Sequence, residues 1–343
     1  MRMFFPPAGW AGGRDGLSER KEKEKMLRAM DSAVAGLRAH QNKMDVVGHN
    51  IANVNTFGFK AQTYTFKEAM YQTSTSSTGG TATAAGANAA QFGYGALMGT
   101  IGMDMTASTP TYVGGFNASI SGDGFFLVKA TKETVAAGAD IKEKDFLLTR
   151  VGQFSLDSNG YVVDGDMNFV YGYAAEYDTT KNEWKVGEDL VPLRMPDASY
   201  DGTAASVTFK YGDEDVLVSK GISINSAGEI TAKVEYEDNA GEKQTAVVSL
   251  GKVAVATFTN PNGVTKAGGN YYTTNTSDNA GDAAVGVPGG PNPDLMTGYI
   301  EASNVDLAKE FADMITTHRG FQSNTKMITV SDEMLSDLVA MKR

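Results

Sequence analysis

The chain has 343 residues, 41% of them hydrophobic, a formal net charge of −11 and no cysteine. Disulfides, cysteine-based zinc sites and thiol catalysis are thereby excluded, and an acidic chain repels phosphate backbones, which argues against nucleic acid as a partner. No run of about 18 apolar residues occurs, so no segment reads as a membrane-spanning helix.

The length suits two or three compact units. The 39 glycines against 9 prolines point to many turns, hence to β structure. Residues 1–25, MRMFFPPAGWAGGRDGLSERKEKEK, lack the long apolar stretch and the small-residue cleavage site of a secretory signal. Pro6, Pro7 and the glycines also speak against a folded element there.

From Met26 an amphipathic pattern begins. Met30, Leu37, Met44 and Ile51 recur every seven residues, and Leu27, Val34, Gln41 and Gly48 form a partner row offset by three. This a/d pattern predicts a helix over 27–54, roughly 40 Å long, packing along a narrow seam. The stretch HNIANVNTFGFK, residues 49–60, then interrupts the pattern with Asn50, Asn53 and Asn55. Asn53 and Asn55 are expected to end the helix, because asparagine tolerates left-handed geometry and bonds local backbone groups. Gly58 permits a tight backbone, Phe57 and Phe59 are placed to anchor the exit against neighbouring chains, and Asn50 is a candidate to face across the seam. The stretch reads as a hinge between helix and β structure.

Residues 57–98 read as a linker. Within it, residues 73–90 contain only Ser, Thr, Gly, Ala and Asn, too little apolar surface to order a segment, so a flexible or conditionally ordered loop is expected. The period then changes to two. DGFFLVKA (123–130), ASVTFKYG (205–212), GEITAKVEYED (228–238) and KVAVATFTN (252–260) read as strands. DSNG (157–160), SAGE (226–229), NAGE (239–242) and NPNG (260–263) read as turns, and 275–294 as a loose stretch.

The C-terminal segment repeats the heptad signal. Leu307, Phe311, Met314, His318, Phe321, Thr325, Ile328, Asp332, Leu335 and Val339 alternate by four and three. Ser303 or Asn304 is expected to cap this helix, with Asp306 in its first turn and Lys342 and Arg343 at the opposite pole. His318, Thr325 and Asp332 share one row. That row is either a register-setting device, as polar a positions are in coiled coils, or polarity tolerated at a partly wet seam. A second stripe, Met327, Met334, Leu338 and Met341, is left over. The predicted fold is mainly β with paired N- and C-terminal helices: a coiled-coil-like terminal domain plus one or two inserted antiparallel β domains. A two-helix seam is a thin core, and large leftover apolar surface marks an assembly interface.

Chemistry is sparse. His40 and His49 are nine apart, whereas a helical metal pair needs i and i+4. His318 reads as a packed polar residue. DGDMN (164–168) begins like a calcium loop but has Phe169 and Ala175 where glycine and glutamate are required. GYGALMG (93–99) carries Met98 at the third glycine position of a dinucleotide fingerprint. No catalytic, cofactor-binding or metal-binding residue is assigned, and an enzyme is not expected.

AVAGLRAHQNKMDVVGHNIANVNTFGFKA, near the N-terminus, resembles the N-terminal signature of bacterial flagellar rod and hook proteins. The C-terminal stretch GYIEASNVDLAKEFADMITTHRGFQSNTKMITVSDEMLSDLVAMKR is similar to their C-terminal signature, most closely that of the hook subunit. SGDGFFLV, LLTRVGQFSLDSNGYVVD and ATFTNPNGVTKAGGNYYTTNTS resemble the family's β segments. The resemblance covers most of 26–175 and 250–343. It implies a subunit exported unfolded, without a cleaved signal peptide, through the flagellar type III apparatus. Such subunits polymerise under a cap into a hollow tube outside the cell, with partners in the rod, the hook cap and the hook–filament junction. It further implies domains at 26–56 with 300–343 (inner tube), 99–175 with 250–299 (inner β) and 176–249 (outer, variable β). Hook is the expected identity. The distal rod, whose subunit has an extra segment near the position of 73–90, is the alternative, and a secreted β-rich adhesin a more distant one. Family members usually start near Met26. The preceding KEKEK would be encoded by purine-rich codons resembling a translated ribosome-binding site, so Met26 is the expected start. Mass spectrometry of the purified polymer checks this, with peptides from 1–25 expected to be missing.

Overall fold

Segments of alternating polarity punctuated by glycine fold into strands, and the heptad segments at the two ends fold into helices. The computed structural model describes residues 12–81, 85–136, 138, 140–178, 183–195, 197–200, 207–210, 219–237 and 243–341. The chain divides into two compact units. One combines the two ends with residues 62–102; the other comprises 53–61 and 103–305.

In the first unit, helix α1 spans Gly12–Ala52 and helix α2 spans Leu307–Ala340. Helix α1 begins well ahead of position 27. Ser18–Lys25 is dense in Glu, Lys and Arg, good helix formers that extend the element without needing a core. Asp306 itself is the N-cap of α2, with extended φ/ψ of −89° and 104°; its Oδ1 accepts from the Ala308 and Lys309 amides at 2.9 and 3.3 Å. The expected caps are engaged elsewhere. Ser303 Oγ accepts from the Val305 amide at 3.4 Å, and the Asn304 amide side chain bonds Ala61 N and Asp104 O. Asp306→Ala should therefore lower stability by about 1 kcal/mol, while Asp306→Ser keeps most of it; urea midpoints measure both.

Residues 62–103 form an arm. Strand β1 (Gln62–Glu68) pairs with β4 (Ala96–Met103), and β2 (Tyr71–Thr75) pairs antiparallel with β3 (Ala90–Gly93). A bridge between Thr78 and Ala87 carries the ladder into the segment read as a loop. Backbone pairing holds this register, helped by polar contacts such as Tyr94 to Gln72 (2.9 Å) and Gln91 to Thr73 (3.2 Å). Such bonds order the segment without apolar burial. Helix α1 lies on the arm: the His40 and Phe66 rings are 5.2 Å apart, and the Arg28 guanidinium sits 5.5 Å over Phe92.

The second unit is built on a 13-stranded sheet. Its main path runs through Ser219–Ile224, Glu229–Glu237, Lys243–Val253, Phe169–Asp178, Phe125–Lys129, Leu147–Thr149, Tyr271–Thr273 and Thr265–Gly268, with antiparallel neighbours throughout. Phe125–Lys129 is buried on both faces. Phe126 and Val128 pack with Leu193, Ile230, Val248 and Val253; Phe125 and Leu127 pack on the other side with Phe146, Tyr171, Phe258 and Tyr272. Apolar burial on both faces explains its unbroken apolar run. Ile224, Ile230, Ala232, Val248 and Leu250 belong to the first of these layers. Within 176–249, expected as a separate outer domain, Glu183–Pro192, Ser219–Ile224, Glu229–Glu237 and Lys243–Val253 continue this sheet, while Asp197–Tyr200 and Val207–Lys210 pair as a separate two-stranded sheet.

Three turn signals appear as hydrogen-bonded reversals: Gly160 N to Asp157 O (2.9 Å), Gly228 N to Asn225 O (3.0 Å) and Gly263 N to Asn260 O (3.0 Å). NAGE lies outside the described residues. Within 275–294, Asp278 organises a tight turn. Its carboxylate accepts from Thr274 Oγ1, the Asn275 and Ala280 amides and Lys142 Nζ. Burial opposes its ionisation, but these donors hold it near a pKa of about 2. At Gly152 the backbone approaches Ala118 so closely that a Cβ would lie 1.7 Å from the Ala118 carbonyl oxygen. Only glycine permits that contact.

Candidate assembly surface and chain junction

Helices α1 and α2 run antiparallel. A Cβ on Gly36 would touch Asn324, and one on Gly320 would touch the His40 ring. Lys43 Nζ bonds Asp313 at 2.8 Å, and Asn50 Nδ2 donates to Glu310 Oε1 at 3.1 Å. On α1 these are the row of 36, 43 and 50, with 40 beside it. The pairing face therefore lies one residue away from the apolar rows that the periodicity selected. Met30, Leu37, Met44 and Ile51 are half-buried beside it, as are Val34 and Gly48, while Leu27 and Gln41 are exposed.

The same displacement occurs on α2. Glu310, Thr317 and Ser331 are buried, and Asn324 continues their row. His318, Thr325 and Asp332, expected on the seam, are exposed. The second predicted row, Met314, Phe321, Ile328 and Leu335, is half-buried. The intrachain seam thus joins small and polar side chains of α2 to a face of α1 on which Ala33, Ala39, Val46 and Val47 are buried beside Asn50, with register fixed by specific bonds. Apolar side chains are left outward in two groups. Leu307, Phe311 and Ile315 stand at i, i+4 and i+8, with Phe311 50% and Ile315 63% exposed. Met327, Val330, Met334 and Met341 follow in the second half; Val339 is exposed and Leu338 half-buried. On the arm, Phe66, Met70, Tyr71, Phe92, Leu97, Met98 and Ile101 are also exposed. So much apolar surface on one unit marks an association surface.

Asn50 is 1% exposed and does more than face Glu310. Its Nδ2 also donates to Gln62 O at 2.8 Å, and its Oδ1 accepts from Gln62 N at 2.9 Å. One amide side chain thereby ties the end of α1 to β1 and α2. Burial raises the Glu310 pKa, the nearby Asp313 adds to that, and the Asn50 bond works against it.

Helix α1 ends at Ala52. The exit does not use left-handed asparagines: neither Asn53 nor Asn55 has positive φ. Asn53 O accepts from Thr56 N at 3.1 Å, and the left-handed residue is Gly58, φ 67°, whose amide bonds Glu301 O at 2.8 Å. A Cβ there would meet Val151 Cγ2 at 2.7 Å. Phe59 is buried under the Lys266 ammonium, 4.5 Å from its ring, whereas Phe57 is exposed.

Beside this turn lies a cluster that no periodicity revealed. Lys60, Arg150 and Glu301 are 0%, 2% and 1% exposed. Lys60 Nζ bonds Glu301 Oε1 at 2.8 Å and Thr106 O at 2.6 Å. Arg150 reaches Glu301 Oε2 through Nε at 2.9 Å and Oε1 through Nη2 at 3.3 Å, and its remaining donors meet the Gly122 and Gly124 carbonyls. The Ser108 amide donates to the same carboxylate at 3.0 Å. Burial opposes ionisation of Glu301, but Arg150 and Lys60 together hold its pKa below the ordinary range. Burial pushes Lys60 down, and Arg150 adds to that. The available signal was Lys60 and Glu301 standing singly between apolar neighbours, Phe59 with Ala61 and Ile300 with Ala302.

Two family models match the chain: "Flagella basal body rod protein" over residues 30–60 and "Flagellar basal body rod FlgEFG protein C-terminal" over residues 296–341. Among similar proteins, the flagellar basal-body rod protein FlgG of Bacillus subtilis is 34% identical over 319 residues, covering 93% of this chain and all of that protein. The chain belongs to the flagellar rod and hook protein family.

More distant members of this family include the rod protein FlgG of Agrobacterium fabrum, 27% identical with 90% of this chain and 97% of that protein covered. Another is the hook protein FlgE of Borreliella burgdorferi, 25% identical with 92% and 100% covered. The two rod–hook family segments are those that meet in the structure. Residues 30–60 supply Asn50 and Lys60, and residues 296–341 supply Glu301 and Glu310. As a family member the chain is a structural component of the flagellum. No helix among the described residues is long and apolar enough to cross a membrane.

Proposed function

We propose that this chain is a basal-body rod subunit of the distal-rod type. It polymerises with copies of itself into a hollow, torque-transmitting tube and has no catalytic role. The observation that carries this reading over the hook is the 34% identity to a rod protein along its whole length. Alignment with the hook protein spreads over 457 positions, more than this chain's 343 residues, so the hook relative carries insertions that this chain lacks. The long arm at 62–103 agrees with the extra segment expected of the distal rod. The half-buried rows Met30, Leu37, Met44, Ile51 and Met314, Phe321, Ile328, Leu335 meet neighbouring subunits, joined by the exposed Leu307 and Phe311. Residues 53–61 act as the hinge by which the chain leaves the helical unit. The subunit leaves the cell through the flagellar type III apparatus.

The hook remains the second reading, favoured by the hook protein among its relatives. Electron microscopy of basal bodies from cells lacking the gene separates the two. Rods that end early are expected; complete rods without hooks would assign the chain to the hook. Secretion that persists without the flagellar export apparatus would favour the adhesin.

A further inference from the structure

The β unit has a cleft of about 400 Å³ away from the exposed apolar stripes of the helices. Three segments build it: residues 135–142, the antiparallel pair Phe169–Asp178 with Glu183–Pro192, and the strand Ala283–Gly286. Its floor is the open edge of one core layer. Val135, Ile141 and Leu190 are buried there, while Tyr173, Ala283 and Val285 pack on the same layer and stay partly exposed. Such a floor takes an apolar group.

The rim sets the charge of that group. Tyr173 pairs with Leu190 and Ala175 with Val186, so residues 187–189 bulge out opposite Ala174. A bulge re-aims side chains, and Glu188, at the middle of this one, lines the cleft together with Asp140 and Asp282. Glu188 and Asp282 are exposed and in no ion pair among the described residues. The lining cation, Lys142, is already paired with Asp278 at 3.1 Å. The Tyr173 hydroxyl makes no hydrogen bond to a described residue, and burial raises its pKa, which keeps the phenol neutral. An apolar floor with a free phenol and unpaired carboxylates suits an ammonium on an aliphatic stem. The stem covers the floor, and the ammonium donors meet phenol and carboxylate oxygens.

We propose that this cleft receives a lysine side chain from a second copy of the chain. The contact rests on the self-polymerisation proposed above. Exposed ion pairs shift an equilibrium by no more than about fivefold each, so a free alkylammonium would bind no tighter than about millimolar. A lysine tethered in a polymer is delivered at about that effective concentration. Copies with a formal net charge of −11 also repel one another, and a cation set against an acidic rim offsets this. Lys67, Lys309 and Lys326 of the helical unit are exposed and in no ion pair among the described residues. A lysine on one surface entering a cleft on another is a heterologous contact, the kind that repeats along an open helical polymer.

The test couples carboxylates to touching amines with a zero-length carbodiimide, in polymer assembled from equal parts of isotope-labelled and unlabelled chain. Peptide mass spectrometry should then find mixed-isotope pairs joining Glu188 or Asp282 to Lys67, Lys309 or Lys326. Glu188→Gln with Asp282→Asn should remove these pairs and raise the critical concentration for assembly roughly three- to twentyfold, with the urea midpoint of the monomer unchanged. Polymer that forms normally without such cross-links, or a critical concentration that the double variant leaves unmoved, would overturn the proposal. Saturation of the monomer by butylammonium below about a millimolar would also overturn it and assign the cleft to a free amine. A chain that forms no polymer with itself would overturn the proposed function, and this contact with it.

Discussion

Glu301→Gln should unfold the β unit under conditions where the parent chain is folded. The substitution keeps the side chain's shape and removes its charge. Two buried cations, Lys60 and Arg150, then share a neutral acceptor. Breaking a buried ion pair from one side costs about 3–5 kcal/mol, a large part of the roughly 5–15 kcal/mol that holds a typical domain together. Lys60→Met should cost clearly less, because it leaves one cation facing one carboxylate. Urea unfolding of the monomer, followed by circular dichroism, measures both. A loss below about 1 kcal/mol for Glu301→Gln would contradict the role assigned to the cluster.

The same cluster predicts acid sensitivity. The folded-state pKa of Glu301 lies below its ordinary value, so the folded chain holds fewer protons than the unfolded one across that interval. The contribution of Glu301 is complete above the unfolded value. It is lost as pH falls below the ordinary glutamate range and through the folded pKa. In Glu301→Gln this part of the acid transition should be missing.

The second large effect concerns assembly. Phe311→Lys combined with Ile315→Lys should abolish polymerisation and leave the monomer's own stability nearly unchanged. Both side chains lie outside the intrachain seam and are at least half exposed. Burying each in a polymer contact contributes about 1.5–3 kcal/mol. Losing both raises the critical concentration by roughly a hundredfold or more, at about 1.4 kcal/mol per factor of ten. Sedimentation of polymer across a concentration series reads this directly, and cells carrying the variant should be non-motile. Normal assembly would show that this stripe faces solvent in the tube.

These predictions rest on residues that differ in how legible they were. The two helices, the β body and the need for partners follow from periodicity and glycine usage, because those patterns are local. The family followed from the terminal segments, where HNIANVNTFGFK and the residues around YIEASN stand out. The helix seam was less legible. Periodicity ranks rows by apolar content, so it chose Met30, Leu37, Met44 and Ile51. The chain pairs instead through Gly36, His40, Lys43 and Asn50, since intrachain contact favours small side chains and specific bonds. The apolar rows stay half-buried beside that seam, and it is these that we propose meet neighbouring subunits.

The asparagines show the same division. The sequence by itself placed the helix end at about residue 54, within two residues of its actual end at Ala52, since Asn53, Asn55 and Gly58 oppose its continuation. It also determined that the chain carries more apolar helix surface than two helices can cover. Only the tertiary structure decided that Gly58 alone takes the left-handed turn and that Asn50 clamps Gln62 and Glu310. The tertiary structure also decided that Lys60 meets Glu301 across 241 positions of chain, with Arg150 completing the cluster. Helix endings are decided by neighbours in sequence, within a few residues. A buried charge is decided by whichever distant groups the fold brings to neutralise it, and no local pattern records that.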